Sequence, residues 1–164
     1  MLGLPLLSVS IIAWAYSNPF NGIVFALISI LFTYFSVKLP RENVRTAPSS
    51  IMIPGIILFI FGWIYPHFLD TPSFLPYLYS APIGLIPCPT LSIVIGLALV
   101  LNGLGSRALS LVLGLSGMFY GITGVTQLGV AIDLVLAPGA IMILVRAFAG
   151  KRPERANKTA AGSA

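Results

Sequence analysis

Six apolar runs fill most of this chain, and its Lys and Arg residues fall only at every second junction between them. Lys38, Arg41 and Arg45 follow the second run. Arg107 follows the fourth, and Arg146, Lys151, Arg152, Arg155 and Lys158 close or follow the sixth. The other three junctions hold no Lys or Arg. Cytoplasmic loops of membrane proteins collect these residues. One pattern therefore predicts both a segment count and an orientation. The expectation is an all-α, polytopic transmembrane bundle of about six helices, with both termini cytoplasmic, in a cell inner or plasma membrane.

Composition points the same way. The 164 residues are 57% hydrophobic and 8% charged, against roughly 25% charged in a soluble domain. That leaves too little polar surface for a water-soluble fold. At about 20 residues per span, the length suits five or six helices and leaves no room for a soluble catalytic module. One transmembrane domain, 1–149, and a basic cytoplasmic tail, 150–164, are expected. The net charge of +5 is not a nucleic-acid signal, because the basic residues are scattered and lack interleaved aromatics. Their expected partner is the bilayer, with anionic lipid worth about 1 kcal/mol per contact. One cysteine, Cys88, excludes an internal disulfide.

The spans are predicted near 2–16, 20–37, 50–65, 89–104, 108–125 and 128–148. Most have 15 to 18 residues by this reading, or about 22–27 Å of helix, slightly less than a typical hydrocarbon core. Bilayer thinning or protein packing accommodates short spans. Barrel strands would alternate in polarity over about ten residues, and these runs do not. The first run resembles a signal peptide in its Ala13-Trp14-Ala15 sequence, but nothing basic precedes residue 38, so it is read as a true span.

Ser17 to Gly22 is a turn sequence, rich in residues that favour turn geometry. The longest junction, an outer loop over 66–88, lacks Lys and Arg and is dense in proline and aromatics. It is predicted to be an ordered lid on the outer face with no regular helix running through it. Small residues recur at helical spacing in Ser110, Gly114, Gly117 and Gly121, and again in Ser92 and Gly96. Such faces let helices approach closely, either within the bundle or against a partner helix.

Few residues could carry chemistry. Pro87-Cys88-Pro89-Thr90 suits a helix start, which would put Cys88 at the cap beside free backbone N–H groups. There it is either a soft-metal ligand or reactive thiol, or a small buried residue. Asp133 is the one acid set clearly inside a span, about one turn into the sixth. Intramembrane acids are costly and are functional candidates. Asp133 is read as protonated, as paired with Gln127, Thr123 or Thr126, as bound to a cation, or as a structural polar contact near the outer interface. Topology sends His67, Asp70, Cys88, Thr90, Gln127 and Asp133 to the outer face as one candidate polar site. Cys88, His67 and Asp133 are the candidate metal ligands there, although their spacing matches no ligand motif. Asn102 and Arg107 read as helix-end anchors on the inner side.

No catalytic arrangement stands out: there are no paired carboxylates, phosphate loop or nucleophile–base set, and a single histidine excludes bis-histidyl haem within the chain. The chain is read as a non-enzyme without a cofactor.

The stretch Tyr79-Ser80-Ala81-Pro82-Ile83-Gly84-Leu85-Ile86-Pro87-Cys88-Pro89-Thr90, and later Leu128-Gly129-Val130-Ala131-Ile132-Asp133-Leu134, resembles a bacterial multi-pass membrane family of unknown function. The Asn18-Pro19 turn and the Tyr65-Pro66 span end are similar too, and the likeness covers roughly residues 10 to 145. The resemblance implies a multi-pass membrane fold and directs interest to Cys88 and Asp133. It implies no activity.

Two functions fit. The first is a non-catalytic accessory or assembly subunit, packing against other membrane protein subunits through its small-residue faces. The alternative is a small-solute or metal-ion transporter, with an outer-face site around Cys88 and Asp133.

Overall fold

A computed structural model describes residues 2–38, 45–65, 69, 73 and 75–149. Among them are six α-helices and no strand: α1 (Gly3–Ala15), α2 (Pro19–Val37), α3 (Ser49–Ile64), α4 (Pro87–Val100), α5 (Arg107–Leu128) and α6 (Leu136–Ala149). Short 3-10 helices cover Leu75–Leu78, Asn102–Gly105 and Ala131–Val135. The stretches Pro19–Val37, Arg107–Gln127 and Ala131–Ala149 are long and apolar enough to cross a membrane. The other three helices are apolar but shorter.

Local sequence sets several of the helix ends. The Asn18 side chain accepts from the Asn21 N–H at 3.1 Å, and Pro19 opens α2 where its missing N–H costs nothing. Ser106 caps α5 by accepting from the Leu109 N–H. Gly129 stops α5 in the left-handed region, with φ at +67°.

Three antiparallel pairs, α1–α2, α3–α4 and α5–α6, assemble around α4, which also touches α1, α5 and α6. Eleven of its fourteen residues are buried. A helix apolar all round belongs in an interior, and α4 occupies it. Leu91, Val94 and Ile95 are fully enclosed. By contrast α1, α2 and α3 turn Leu4, Ile11, Ile23, Leu27, Ile53 and Ile57 outward.

Glycines set the closest approaches. A Cβ on Gly96 would lie 2.6 Å from the Gly55 carbonyl oxygen, and one on Gly62 would lie 2.6 Å from that of Pro89. The α3 and α4 backbones therefore touch. On α5, Gly114 faces Leu144 and Ile143, Gly117 faces Ile95 and Ala140, and Gly121 faces the backbone of Asp133 and Ala137. This stripe is filled by helices of the same chain. Ser110 does something else: its hydroxyl donates to the Gly103 carbonyl at 3.2 Å and ties down the turn between α4 and α5. Ser92 is buried, and its hydroxyl has no partner.

Two boundaries differ from the sequence reading. The fourth helix starts at Pro87 rather than near 89 and ends at Val100. The sixth apolar run is broken: α5 continues to Leu128, Gly129 ends it, and a 3-10 turn precedes α6. Uniformly apolar sequence masks such a break.

The described basic residues gather at one end of the bundle. Lys38 ends α2 and bonds Tyr34, Arg107 stacks on Phe148, and Arg146 donates to Asn102. Arg45 leads toward α3, where the Ala47 N–H bonds the Val100 carbonyl at the end of α4. Arg41 and the tail 150–164 lie outside the described residues.

Candidate functional site

The opposite end holds a cavity of about 650 Å³. Four α-helix termini and the turn before α6 meet there. Asn18 and Asn21 come from the start of α2, Tyr65 from the end of α3, and Cys88 from the start of α4. Tyr120, Thr123, Gly124 and Gln127 come from the last turns of α5, and Asp133 from the 3-10 turn. Phe20, Ile86, Pro87, Phe119 and Val130 complete an apolar wall. A smaller cavity of about 310 Å³ shares Asn18, Asn21, Ile86 and Pro87 with it and runs along α1.

Asp133 anchors the polar side. It is 2% exposed, and the Tyr65 hydroxyl donates to its Oδ1 at 2.6 Å. Gly124 makes room for it, since a Cβ there would fall 2.8 Å from the Asp133 Cγ. The Cys88 thiol stands beside the same carboxyl. Across the cavity, the Tyr120 hydroxyl donates to Asn21 Oδ1 at 2.9 Å, and its ring packs edge-on against Phe25. Tyr65 is itself braced from the proline-rich segment: the Tyr77 hydroxyl donates to the Tyr65 carbonyl at 3.3 Å, and the Trp63 indole donates to the Tyr77 carbonyl at 3.0 Å.

Several sequence expectations change here. Asp133 is not one turn inside a long helix but in the turn before α6. Its observed partner is Tyr65. Thr123 and Thr126 instead donate to the carbonyls of Phe119 and Ile122 in their own helix, a common outcome for hydroxyls in a helix. Cys88 lies inside the first turn of α4, after Pro87, rather than at its cap. Both flanking residues are prolines and offer no N–H, which leaves the N–H of Cys88 itself as the backbone donor beside the thiol. Thr90 does not line the cavity. Its hydroxyl accepts from the Gly84 N–H at 2.9 Å and donates to the Ile86 carbonyl at 2.7 Å, fixing the loop that leads into α4. His67 and Asp70 lie outside the described residues, as do 66, 68, 71, 72 and 74 of the expected lid.

The cavity thus brings together Cys88, Asp133 and Gln127 and adds Tyr65, Tyr120, Asn18 and Asn21. Sequence reasoning saw Tyr65 only as an aromatic at a span end. Among the described residues, no group of three His, Cys, Asp or Glu side chains could hold a metal ion. What the cavity offers is a buried carboxyl, hydroxyl and amide groups, and aromatic walls, a combination suited to binding a small molecule.

Compared with known proteins, the chain matches no family model, no curated protein and no solved structure.

Proposed function

We propose that this chain is a polytopic membrane protein, with both termini cytoplasmic, that binds a small solute at its outer end as a transporter does. The segregation of basic residues supports the orientation, since positive loops stay inside. The Cys88 end then faces outward. One observation carries the binding reading: four helix termini and a turn enclose a cavity that joins Asp133, Tyr65 and Cys88. Below it α4 is closely packed by its neighbours, so passage to the inner side requires helix rearrangement. Uptake into liposomes containing the purified chain, compared with Cys88→Ser and Asp133→Asn, tests this directly. Uptake unchanged in both variants would remove the cavity as the route. Reporter fusions at each terminus test the orientation, and a terminus found outside would overturn it.

The accessory-subunit reading has its own support in a side-facing apolar groove of about 510 Å³ between α5 and α6, lined by Met118, Ile141, Leu144, Val145 and Phe148. A partner helix would fit there. The glycine face first assigned that role is occupied by α6 of the same chain, which weighs toward the cavity. A chain that purifies alone after gentle solubilisation would count against a resident partner.

A further inference from the structure

We infer that the ligand of this cavity carries an ammonium group joined to an apolar body; the inference rests on the cavity being a solute site. Asp133 is buried and Tyr65 gives it a hydrogen bond but no positive charge. No Lys or Arg occurs in residues 1–37, 46–106 or 108–145, which include every residue lining the cavity. Among the described residues nothing cationic faces this carboxyl, which in such surroundings is charged only at a cost and otherwise stays neutral; a ligand cation would supply the missing partner. An anionic ligand would meet the carboxyl with nothing to offset it. A transition-metal ion would find no group of three His, Cys, Asp or Glu side chains among the described residues. Aromatic rings supply the other half of the match. Tyr65, Phe119 and Tyr120 line the space around the acid, and ring faces attract organic cations. Phe20, Ile86 and Val130 then cover an apolar body.

The ammonium has two possible sources, a soluble amine or the headgroup of an aminolipid. The full chain in maltoside micelles, which contain no ammonium, separates them. Binding of radiolabelled 3-phenylpropyl-trimethylammonium is compared with binding of its uncharged tert-butyl isostere. The cation should bind at least about tenfold more tightly. Asp133→Asn should abolish that preference, Tyr65→Phe should retain it, and Thr123→Trp, which fills the cavity, should abolish binding of both probes. Displacement of the cation by phosphatidylethanolamine identifies the lipid source, and resistance to it identifies a soluble amine. Both support the ammonium. Equal binding of the two probes, lost in Thr123→Trp, would overturn the ammonium inference and leave the solute site standing. Failure of both probes to bind, or binding indifferent to Thr123→Trp, would overturn both. If Asp133→Asn does not fold, the comparison of probes on the unaltered chain with Thr123→Trp still decides.

Discussion

Tyr65 and Asp133, 68 residues apart, meet in a 2.6 Å hydrogen bond that ties the end of α3 to the turn before α6. The pair is buried, so water cannot replace either partner cheaply. Tyr65→Phe removes the donor and leaves the carboxyl short of a bond. It should destabilise the chain by about 1–3 kcal/mol, read as a lower midpoint of thermal unfolding in detergent. The Tyr65→Phe/Asp133→Ala double variant, in which neither partner of the bond remains, should lose less than the two single losses combined, because contacting residues couple. Strict additivity would show that the bond contributes nothing.

Gly124 faces the same carboxyl. A methyl group there would sit 2.7 Å from the Asp133 Cβ and 2.8 Å from its Cγ, so Asp133 or α5 must shift. Gly124→Ala should cost about 1–3 kcal/mol through overpacking. In an Asp133→Gly background the Gly124→Ala change should cost less, since the clashing carboxyl and Cβ are both gone. Absence of any such rescue would place the clash elsewhere.

Thr90 tests the Pro-Cys-Pro-Thr segment. Its fully buried hydroxyl satisfies both the Gly84 N–H and the Ile86 carbonyl. Thr90→Val keeps the shape and loses both bonds, so it should cost about 1–3 kcal/mol. Thr90→Ser keeps the hydroxyl and should retain most of the stability. Amide hydrogen exchange at Gly84 should speed up in the valine variant alone.

The helical runs and the segregation of charge were legible in the sequence because both are properties of single segments. Apolar runs announce helices whatever surrounds them, and Lys38, Arg107 and Arg146 mark the ends of runs without reference to any neighbour. The site was only half legible. Asp133 and Cys88 stand out as rare residue types in apolar surroundings. Tyr65 does not, because its role depends on a partner 68 residues away, and nothing local distinguishes it from Tyr79. Nor does an apolar run show where Gly129 breaks it, or which glycines meet backbone. Gly55 and Gly62 look like isolated glycines in α3, yet they allow α3 to touch α4. Helix pairing is a non-local relation, and no single segment encodes it.

That non-locality makes the glycines a sharp test of the packing. Gly96 and Gly121 look alike in the sequence, each a small residue in an apolar helix. Their surroundings differ. A Cβ on Gly96 would lie 2.6 Å from the Gly55 carbonyl oxygen and 2.8 Å from the Phe59 nitrogen, both backbone atoms that cannot turn aside. A Cβ on Gly121 would lie no closer than 3.4 Å to any neighbour, an ordinary contact. Gly96→Ala should therefore force α3 and α4 apart, at a cost of about 1–3 kcal/mol. Gly121→Ala should be neutral, or stabilise α5 by up to about 1 kcal/mol through the better helix propensity of alanine. Thermal unfolding of the two variants side by side decides it. Equal effects at both positions would mean that α3 and α4 do not pack through Gly55 and Gly96.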